Sequence, residues 1–451
     1  MKKNDLLSLE IGDLTAEGSG VARAADGLTV FVPRTAVGDR ITARIVKVKK
    51  NYAFGIAETV EQPSEHRVAV DCPKFRSCGG CLYRHITYAE ECRLKESRVA
   101  DAMKRIGGVD LKPQPIVTAL HTERYRNKAQ FPLAKDGKSG FFAGHSHRII
   151  PCEDCLLQPT EFSKAAAAVE RWIVENGVSV YDEAEHKGLV RHLYLRKAEA
   201  TGELMVVLVV NGRNLPHESD LTDRLRQALG DALKSVQLNI NTERTNVVLG
   251  TENKVLFGQS YITDILCGVR LQISPLSFYQ VNREMAERLY RKAAEYVAPN
   301  GKDILDLYCG IGSIGLSMAA DAKSVIGVEI VEDAVKDAEC NARENGFLNT
   351  RFLCGTAADA ARQLASEGVR PQVVIVDPPR KGCSGSLLQT VAQDFAPERL
   401  VYVSCDPATL ARDVAVLRGF GYELQEYTPF DLFPRTGHVE TVGFFSPRKK
   451  I

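Results

Sequence analysis

The chain has 451 residues, and at about 150 residues per domain that length predicts three domains. Hydrophobic residues make up 44% and charged residues 25%, with 35 glycines and 19 prolines, which excludes a fibrous or largely disordered chain. The net charge of +1, from 58 basic and 57 acidic residues, excludes a chain-wide polyanion-binding surface, so any nucleic-acid contact must be a local patch.

Taken in chain order, residues 1–60 predict a small β-barrel of the oligonucleotide-binding kind. Short β-branched or alternating runs at 28–32 and 40–46 are separated by turns at 18–20, 25–27 and 37–39. Lys47, Lys49 and Lys50 stand beside Tyr52 and Phe54 at one edge, either a solvated charge run or an RNA contact. The opening residues carry Asp5, Ser8 and Glu10 where a signal peptide needs an apolar stretch, so a cytoplasmic protein is expected. The longest apolar run, 204–210, falls far short of the ~20 residues of a membrane-spanning helix.

Residues 61–265 predict a central α+β domain: a cysteine-rich segment, a helix over 88–106, then antiparallel strands near 130–133, 190–195, 204–210 and 236–240 with short helices. From 266 to 451 the rhythm becomes α/β. A helix over 282–297 precedes strands at 303–308, 324–329, 351–354, 372–377 and 400–404 with helical segments between them, which predicts a parallel, Rossmann-like sheet. Residues 421–445 lack a crossover helix and predict an antiparallel pair.

Gly310-Ile311-Gly312-Ser313-Ile314-Gly315 follows a strand and opens a helix, and Glu329 ends the next strand. This pattern fits a nicotinamide dinucleotide or S-adenosylmethionine, since small residues admit the ligand and the acid accepts from ribose hydroxyls. Two features favour S-adenosylmethionine. Asp306 lies just before the loop, where a carboxylate suits an ammonium, and the fourth strand ends in a rigid Asp377-Pro378-Pro379-Arg380 turn that resembles the catalytic loop of S-adenosylmethionine-dependent base methyltransferases. Cys405 sits where a strand turns into a helix, with Asp406 as N-cap and Pro407 in the first turn. A helix N-terminus favours a thiolate, so a low-pKa nucleophile is expected there. Such a thiol beside a methyl donor points to a pyrimidine: addition to carbon 6 makes carbon 5 nucleophilic, and a base must then remove the carbon-5 proton.

The cysteines concentrate elsewhere. Cys72, Cys78 and Cys81 are spaced C-x5-C-x2-C, and Cys152 and Cys155 form a further C-x2-C pair. Metal binding explains this set better than idle thiols. The two pairs alone fit tetrahedral zinc, but that leaves Cys72 without a role and separates the pairs far beyond a local zinc ribbon.

Four motifs in order, Asp306-Leu-Tyr-Cys-Gly-Ile-Gly312, Asp377-Pro-Pro-Arg-Lys-Gly382, Ser404-Cys-Asp-Pro407 and Gly437-His-Val-Glu-Thr441, resemble the RNA uracil-5 methyltransferase family over nearly the whole chain. The resemblance implies a TRAM RNA-binding barrel over 1–60, a central iron–sulfur and RNA-binding domain over 61–265, and a catalytic domain over 266–451. It implies Cys405 as nucleophile and Glu440 as base. It places S-adenosylmethionine at Gln280, Tyr308, Glu329 and Asp377, along the Gly310, Gly312 and Ser313 loop. It gives a 4Fe–4S cluster to Cys72, Cys78, Cys81 and Cys155, leaving Cys152 spare. Basic and aromatic residues at 124–128 and 191–196 are candidates to grip RNA around a flipped uridine. The expected substrate is 23S ribosomal RNA, with the transfer-RNA T-loop as the alternative, acted on by a monomer with no membrane partner. Other classes stay open here: a nicotinamide dehydrogenase, a non-catalytic zinc-containing RNA-binding protein, and a methyltransferase of another polymer.

Overall fold

The computed structural model describes residues 1–144 and 146–448. Its first unit is a six-stranded sheet in the order Leu6–Glu10, Arg40–Val48, Tyr52–Gln62, Thr29–Pro33, Ser19–Arg23 and Asp13–Leu14. Alternation in Arg40–Val48 sends Ile41, Ala43 and Ile45 inward, where they meet Val30, Val32 and Ala53 in a small closed core. Five strands are the expectation from the sequence, and the two-residue Asp13–Leu14 is the sixth, too short to show a period.

The central sheet runs Glu252–Gly258, Leu233–Ile240, Leu204–Val210, Val190–Lys197, Lys128–Pro132. Leu204–Val210 is buried along its whole length. Leu204, Val206, Leu208 and Val210 pack beneath the helices Thr160–Glu175 and Glu218–Leu229, while Met205 and Val207 face the opposite way, into the core of the next unit. A strand covered on both faces has no reason to alternate, which is why this run reads as continuous.

The hairpin Ile262–Leu266 with Val269–Ile273 spans position 265/266 and leads into the helix Arg283–Val297. The seven-stranded sheet that follows has the order Thr350–Cys354, Ser324–Glu329, Asp303–Leu307, Val373–Val376, Arg399–Ser404, Glu440–Pro447, Tyr422–Phe430. The first five strands are parallel and the last two join antiparallel, as expected. Consecutive residues such as Ile304 and Leu305, or Val373 and Val374, enter opposite cores. Arg283–Val297 covers one face. Ala357–Ser366, Pro407–Gly419 and the early helix Tyr88–Arg105, through Val99 and Met103, cover the other. The strand order reverses between Asp303–Leu307 and Val373–Val376, opening a crevice at their carboxyl ends. No described helix is long and apolar enough to cross a membrane.

Candidate active site

The glycine loop enters this crevice through a kink. Tyr308, Gly310 and Gly312 all hold positive φ, at 68°, 56° and 81°. For two glycines that is free of steric cost, and it brings the Cys309 amide onto the Val328 carbonyl at 3.0 Å. Glu329 accepts from the Gly310 amide at 3.1 Å and from the Ile330 and Val331 amides at 2.8 and 2.9 Å, so the expected ribose acceptor stands against the loop. Ser313 meets the Tyr290 hydroxyl at 3.0 Å. Gln280 is buried on the other side, its carbonyl held by the Asn127 amide group at 3.0 Å.

Asp306 departs from expectation. It is fully buried beneath the loop, where one carboxylate oxygen accepts from the Gly315 amide at 2.9 Å and the other has no partner. It braces the turn rather than reaching a ligand's ammonium. Burial, the Asp377 charge and the Glu329 charge push its carboxyl up to about 7. Asp377, at the end of the neighbouring strand, is also pushed up to about 7 by burial. The crevice therefore collects carboxylates, and they hold protons more tightly than usual.

Cys405 and Glu440 are joined by strand register. Ser404 pairs with Thr441 across the antiparallel ladder, so the residues just beyond, Cys405 and Glu440, flank each other at its end. Asp406 caps the following helix, accepting from the Ala408 and Thr409 amides at 2.9 Å each, with Pro407 in the first turn, as the sequence predicts. The thiol's acidity goes the opposite way from the expected one. Burial, Glu440 and Asp377 push Cys405 up to about 12, against the Arg380 guanidinium. A helix dipole supplies only a partial charge, and two nearby carboxylates outweigh it. Burial and Asp377 push Glu440 up to about 8, again with Arg380 opposing. His438, exposed at the surface, lies 3.5 Å from Arg380.

The basic segments at 124–128 and 191–196 are mostly not the RNA-facing surface expected. Arg196 is 2% exposed and donates to the Ser274 and Ser277 carbonyls at 3.0 and 2.9 Å. Arg191 donates to the Asn241 and Glu243 carbonyls at 2.7 and 2.8 Å, and Tyr194 is buried. This strand lies inside its sheet, so its charges brace loops. Arg124 likewise grips Asp154 through both nitrogens and donates to the Cys155 and Gln158 carbonyls at 3.1 and 2.9 Å. Arg126 and Lys128 stay half-exposed. Arg380 and His438 received no role from the sequence, although they stand inside quoted motifs. The motif order alone held no sign that they meet.

The cysteine segment folds against the hairpin Gly140–Phe142 with Ile149–Pro151, the Gly79 amide donating to the Phe142 carbonyl at 3.1 Å. Burial, together with Cys152, Cys78 and Cys72, pushes Cys155 up to about 12, and Cys81 is pushed to about 12 with Cys155 and Cys78 contributing. Thiols from both segments thus lie near enough for their charges to interact. Among the described residues no group of three or more His, Cys, Asp or Glu side chains is arranged to hold a metal ion.

With this geometry in view, comparison with known proteins is direct. The family profile of tRNA (uracil-5-)-methyltransferases matches residues 87–448, and that of the TRAM domain matches residues 5–57. An uncharacterized RNA methyltransferase of Halalkalibacterium halodurans is 43% identical over 448 residues, covering 98% of this chain and 97% of the relative. One of Clostridium tetani is 41% identical over 457 residues, covering 100% and 99%. The crystal structure of Pyrococcus abyssi tRNA (uracil-54, C5)-methyltransferase in complex with S-adenosyl-L-homocysteine superposes with a TM-score of 0.79 at 27% identity, covering 97% of this chain and all of that one. The crevice, the TRAM barrel and these full-length relatives agree: the chain belongs to the RNA uracil-5 methyltransferase family and is an S-adenosylmethionine-dependent enzyme of it.

Proposed function

We propose that this enzyme methylates carbon 5 of specific uridines in 23S ribosomal RNA, through a covalent adduct of Cys405 with the uracil ring and with Glu440 as base. The observation that carries the reading is the register of Ser404 with Thr441, which sets Cys405 beside Glu440 at the crevice, with Asp377 and Arg380 acting on both.

S-Adenosylmethionine, when bound, supplies the electrophilic methyl group. Gln280, Tyr308, Glu329 and Asp377, with the backbone of Gly310, Gly312 and Ser313, hold it. The carboxylates of Glu329 and Asp377, with the charge of the buried Asp306 behind the loop, suit a ligand bearing a sulfonium and an ammonium. They oppose the pyrophosphate of a dinucleotide, and the helix Ser313–Leu316 is a single turn with little dipole to offset them. Arg380 favours the thiolate of Cys405. Cys405 gives up its thiol proton to solvent, and the thiolate adds to carbon 6 of uracil, forming a carbon–sulfur bond and leaving the electron pair at carbon 5 as an enolate. Carbon 5 takes the methyl group, and the electrons of the broken bond stay with the donor sulfur, which leaves as a neutral thioether. Glu440 as carboxylate then removes the carbon-5 proton, and the released electron pair reforms the double bond and expels the sulfur. The raised proton affinity of Glu440 suits a base that must take a proton from carbon.

In this reading Cys72, Cys78, Cys81 and Cys155 hold a 4Fe–4S cluster of structural role. A cluster cage is wider than one ion, so its sulfur ligands need not converge on a point. The nearness of thiols from the two segments supports this. Anaerobically purified protein should be brown with about four irons per chain. Cys155→Ser should lose the colour and Cys152→Ser should keep it; stoichiometric zinc without iron contradicts the assignment. The reading gives residues 1–60 to an RNA-binding barrel, 61–265 to the central cluster- and RNA-binding part and 266–451 to catalysis, in a cytoplasmic monomer.

The choice of ribosomal RNA rests on the likeness of the cysteine motif and barrel to large-subunit enzymes. The second reading, the transfer-RNA T-loop, is favoured by the activity named for the Pyrococcus abyssi structure. Mapping 5-methyluridine in total RNA from cells lacking this protein separates them. Loss at 23S positions is expected; loss at the T-loop alone selects the second reading, and no loss removes both.

A further inference from the structure

The helix Tyr88–Arg105 turns a charged face toward the loop that leads to Glu440. Glu91, Lys95 and Arg98 stand at i, i+4 and i+7 and so share one side. On a solvated helix they would form an ordinary Glu–Lys pair worth a few tenths of a kcal/mol, roughly. Here the side chains of Glu91, Lys95 and Asp431 are all 0% exposed. The Lys95 ammonium donates to Glu91 Oε1 at 2.7 Å, to Asp431 Oδ1 at 2.7 Å and to the Phe433 carbonyl at 3.2 Å, matching its three protons with three acceptors. Glu91 Oε1 also accepts from the Arg435 amide at 2.7 Å, and the Arg98 guanidinium donates to the Gly437 carbonyl.

Residues 431–438 are held along their length by these contacts and by others. Arg435 has φ 70°, a strained value for a non-glycine residue, and its carbonyl accepts from the Leu82 and Tyr83 amides at 2.8 and 3.2 Å. The Thr436 hydroxyl donates to the Phe433 carbonyl at 2.8 Å and accepts from the His438 amide at 3.3 Å, two residues before Glu440. Position 437 leaves no room for a side chain, because a Cβ there would stand 2.1 Å from the Ala16 carbonyl oxygen of the barrel. A buried ion cluster adds little net stability over an apolar core of the same volume. What it does add is a demand for one loop conformation.

We propose that Lys95 is a positioning residue for methyl transfer: by bridging Glu91, Asp431 and the Phe433 carbonyl it fixes residues 431–438 and so aims Glu440 at the adduct on Cys405. The inference rests on the reading of Glu440 as the base. Lys95 touches no reacting atom. A positioning role therefore predicts a defect in one step, whereas a purely structural role predicts a uniform loss.

The test compares Lys95→Met, Asp431→Asn, Glu440→Gln and wild type on ordinary RNA with methyl-tritiated S-adenosylmethionine, read on denaturing gels. Lys95→Met should lower turnover by about 10–100-fold, the usual worth of a supporting contact behind a functional group. Its affinity for S-adenosylhomocysteine should stay within about twofold of wild type, and it should accumulate a labelled protein–RNA adduct as Glu440→Gln does. Asp431→Asn keeps an acceptor for Lys95 and should show a smaller loss of the same kind; it decides the matter if Lys95→Met does not fold. Wild-type turnover in the node variants, or slow turnover without labelled adduct, overturns the positioning role while adduct in Glu440→Gln leaves the base intact. No adduct in Glu440→Gln removes the base and, with it, the role given to Lys95.

Discussion

Two sites in this protein bury charge, and they do so in opposite ways. At Lys95 the charges answer one another: two carboxylates share an ammonium at 2.7 Å each, with Arg435 3.7 Å from Glu91. At the crevice the acids outnumber their partner. Asp306 and Glu440 are buried and Asp377 is part-buried, Arg380 opposes Glu440, and the carboxyls of all three are pushed up to about 7 or 8. The node meets its cations within the chain, although burial still pushes Glu91 up to about 7 and one oxygen each of Glu91 and Asp431 carries no hydrogen bond. The crevice has acids to spare, which suits a cationic ligand. The difference separates what this fold fixes in advance from what it leaves for binding.

The largest expected effect breaks the chemistry at the crevice while leaving its shape. Cys405→Ala should lower turnover by something like 10⁴-fold or more, with RNA and S-adenosylhomocysteine affinities nearly intact, because the thiol acts only once the base is in place. Single-turnover assays beside calorimetry check it, and retained activity removes the nucleophile.

Removing a charge from each site should move stability in opposite directions. Lys95→Met leaves two buried carboxylates without their shared ammonium and should cost about 3–5 kcal/mol of unfolding free energy. Asp377→Asn removes a charge that the folded protein disfavours and should stabilise the ligand-free enzyme at pH 8 by about 0.5–2 kcal/mol. Denaturant melts of the two variants test the contrast; shifts of the same sign would erase it.

A pH dependence is expected as well, and its sign follows from linkage. Glu440 holds its proton up to about 8 in the fold but only to about 4.5 when unfolded. Between those values the folded state binds more protons, so ligand-free stability falls as pH rises through that window. A cation in the crevice favours the carboxylates and expels those protons. Binding of S-adenosylmethionine should therefore tighten from pH 6 to pH 8, by at most about tenfold per pH unit for each proton released. Calorimetry in buffers of different ionisation enthalpy counts the protons; pH-independent binding would contradict the unbalanced crevice.

Much of the crevice was legible in the sequence because strand ends and turns carry local signatures. Gly310 and Gly312 mark a kink that needs positive φ, Asp406 and Pro407 mark a helix start, and continuous apolar runs mark parallel strands. The Lys95 node left no such mark. Glu91, Lys95 and Arg98 have the spacing of a solvated helical face, and only the packing of Tyr88–Arg105 against a loop more than three hundred residues away turns that face inward. The same blindness affects Arg196, whose carbonyl partners at Ser274 and Ser277 lie 78 and 81 residues away. The acidity of Cys405 escapes the sequence for a related reason: the helix start is local, whereas the burial of the thiol and the charges of Glu440 and Asp377 arrive through the sheet.

The central claim is that Cys405 and Glu440, brought together by adjacent strand ends, divide the reaction between them. The most direct test is Glu440→Gln with ordinary RNA and methyl-tritiated S-adenosylmethionine, read as labelled, heat-stable protein–RNA complex on a denaturing gel. Addition and methyl transfer need no carboxylate at that position, so labelled adduct should accumulate while turnover falls by roughly 10²–10⁴, the usual worth of a placed general base. A variant that is slow and yet shows no labelled adduct would contradict the assignment of Glu440 as the base.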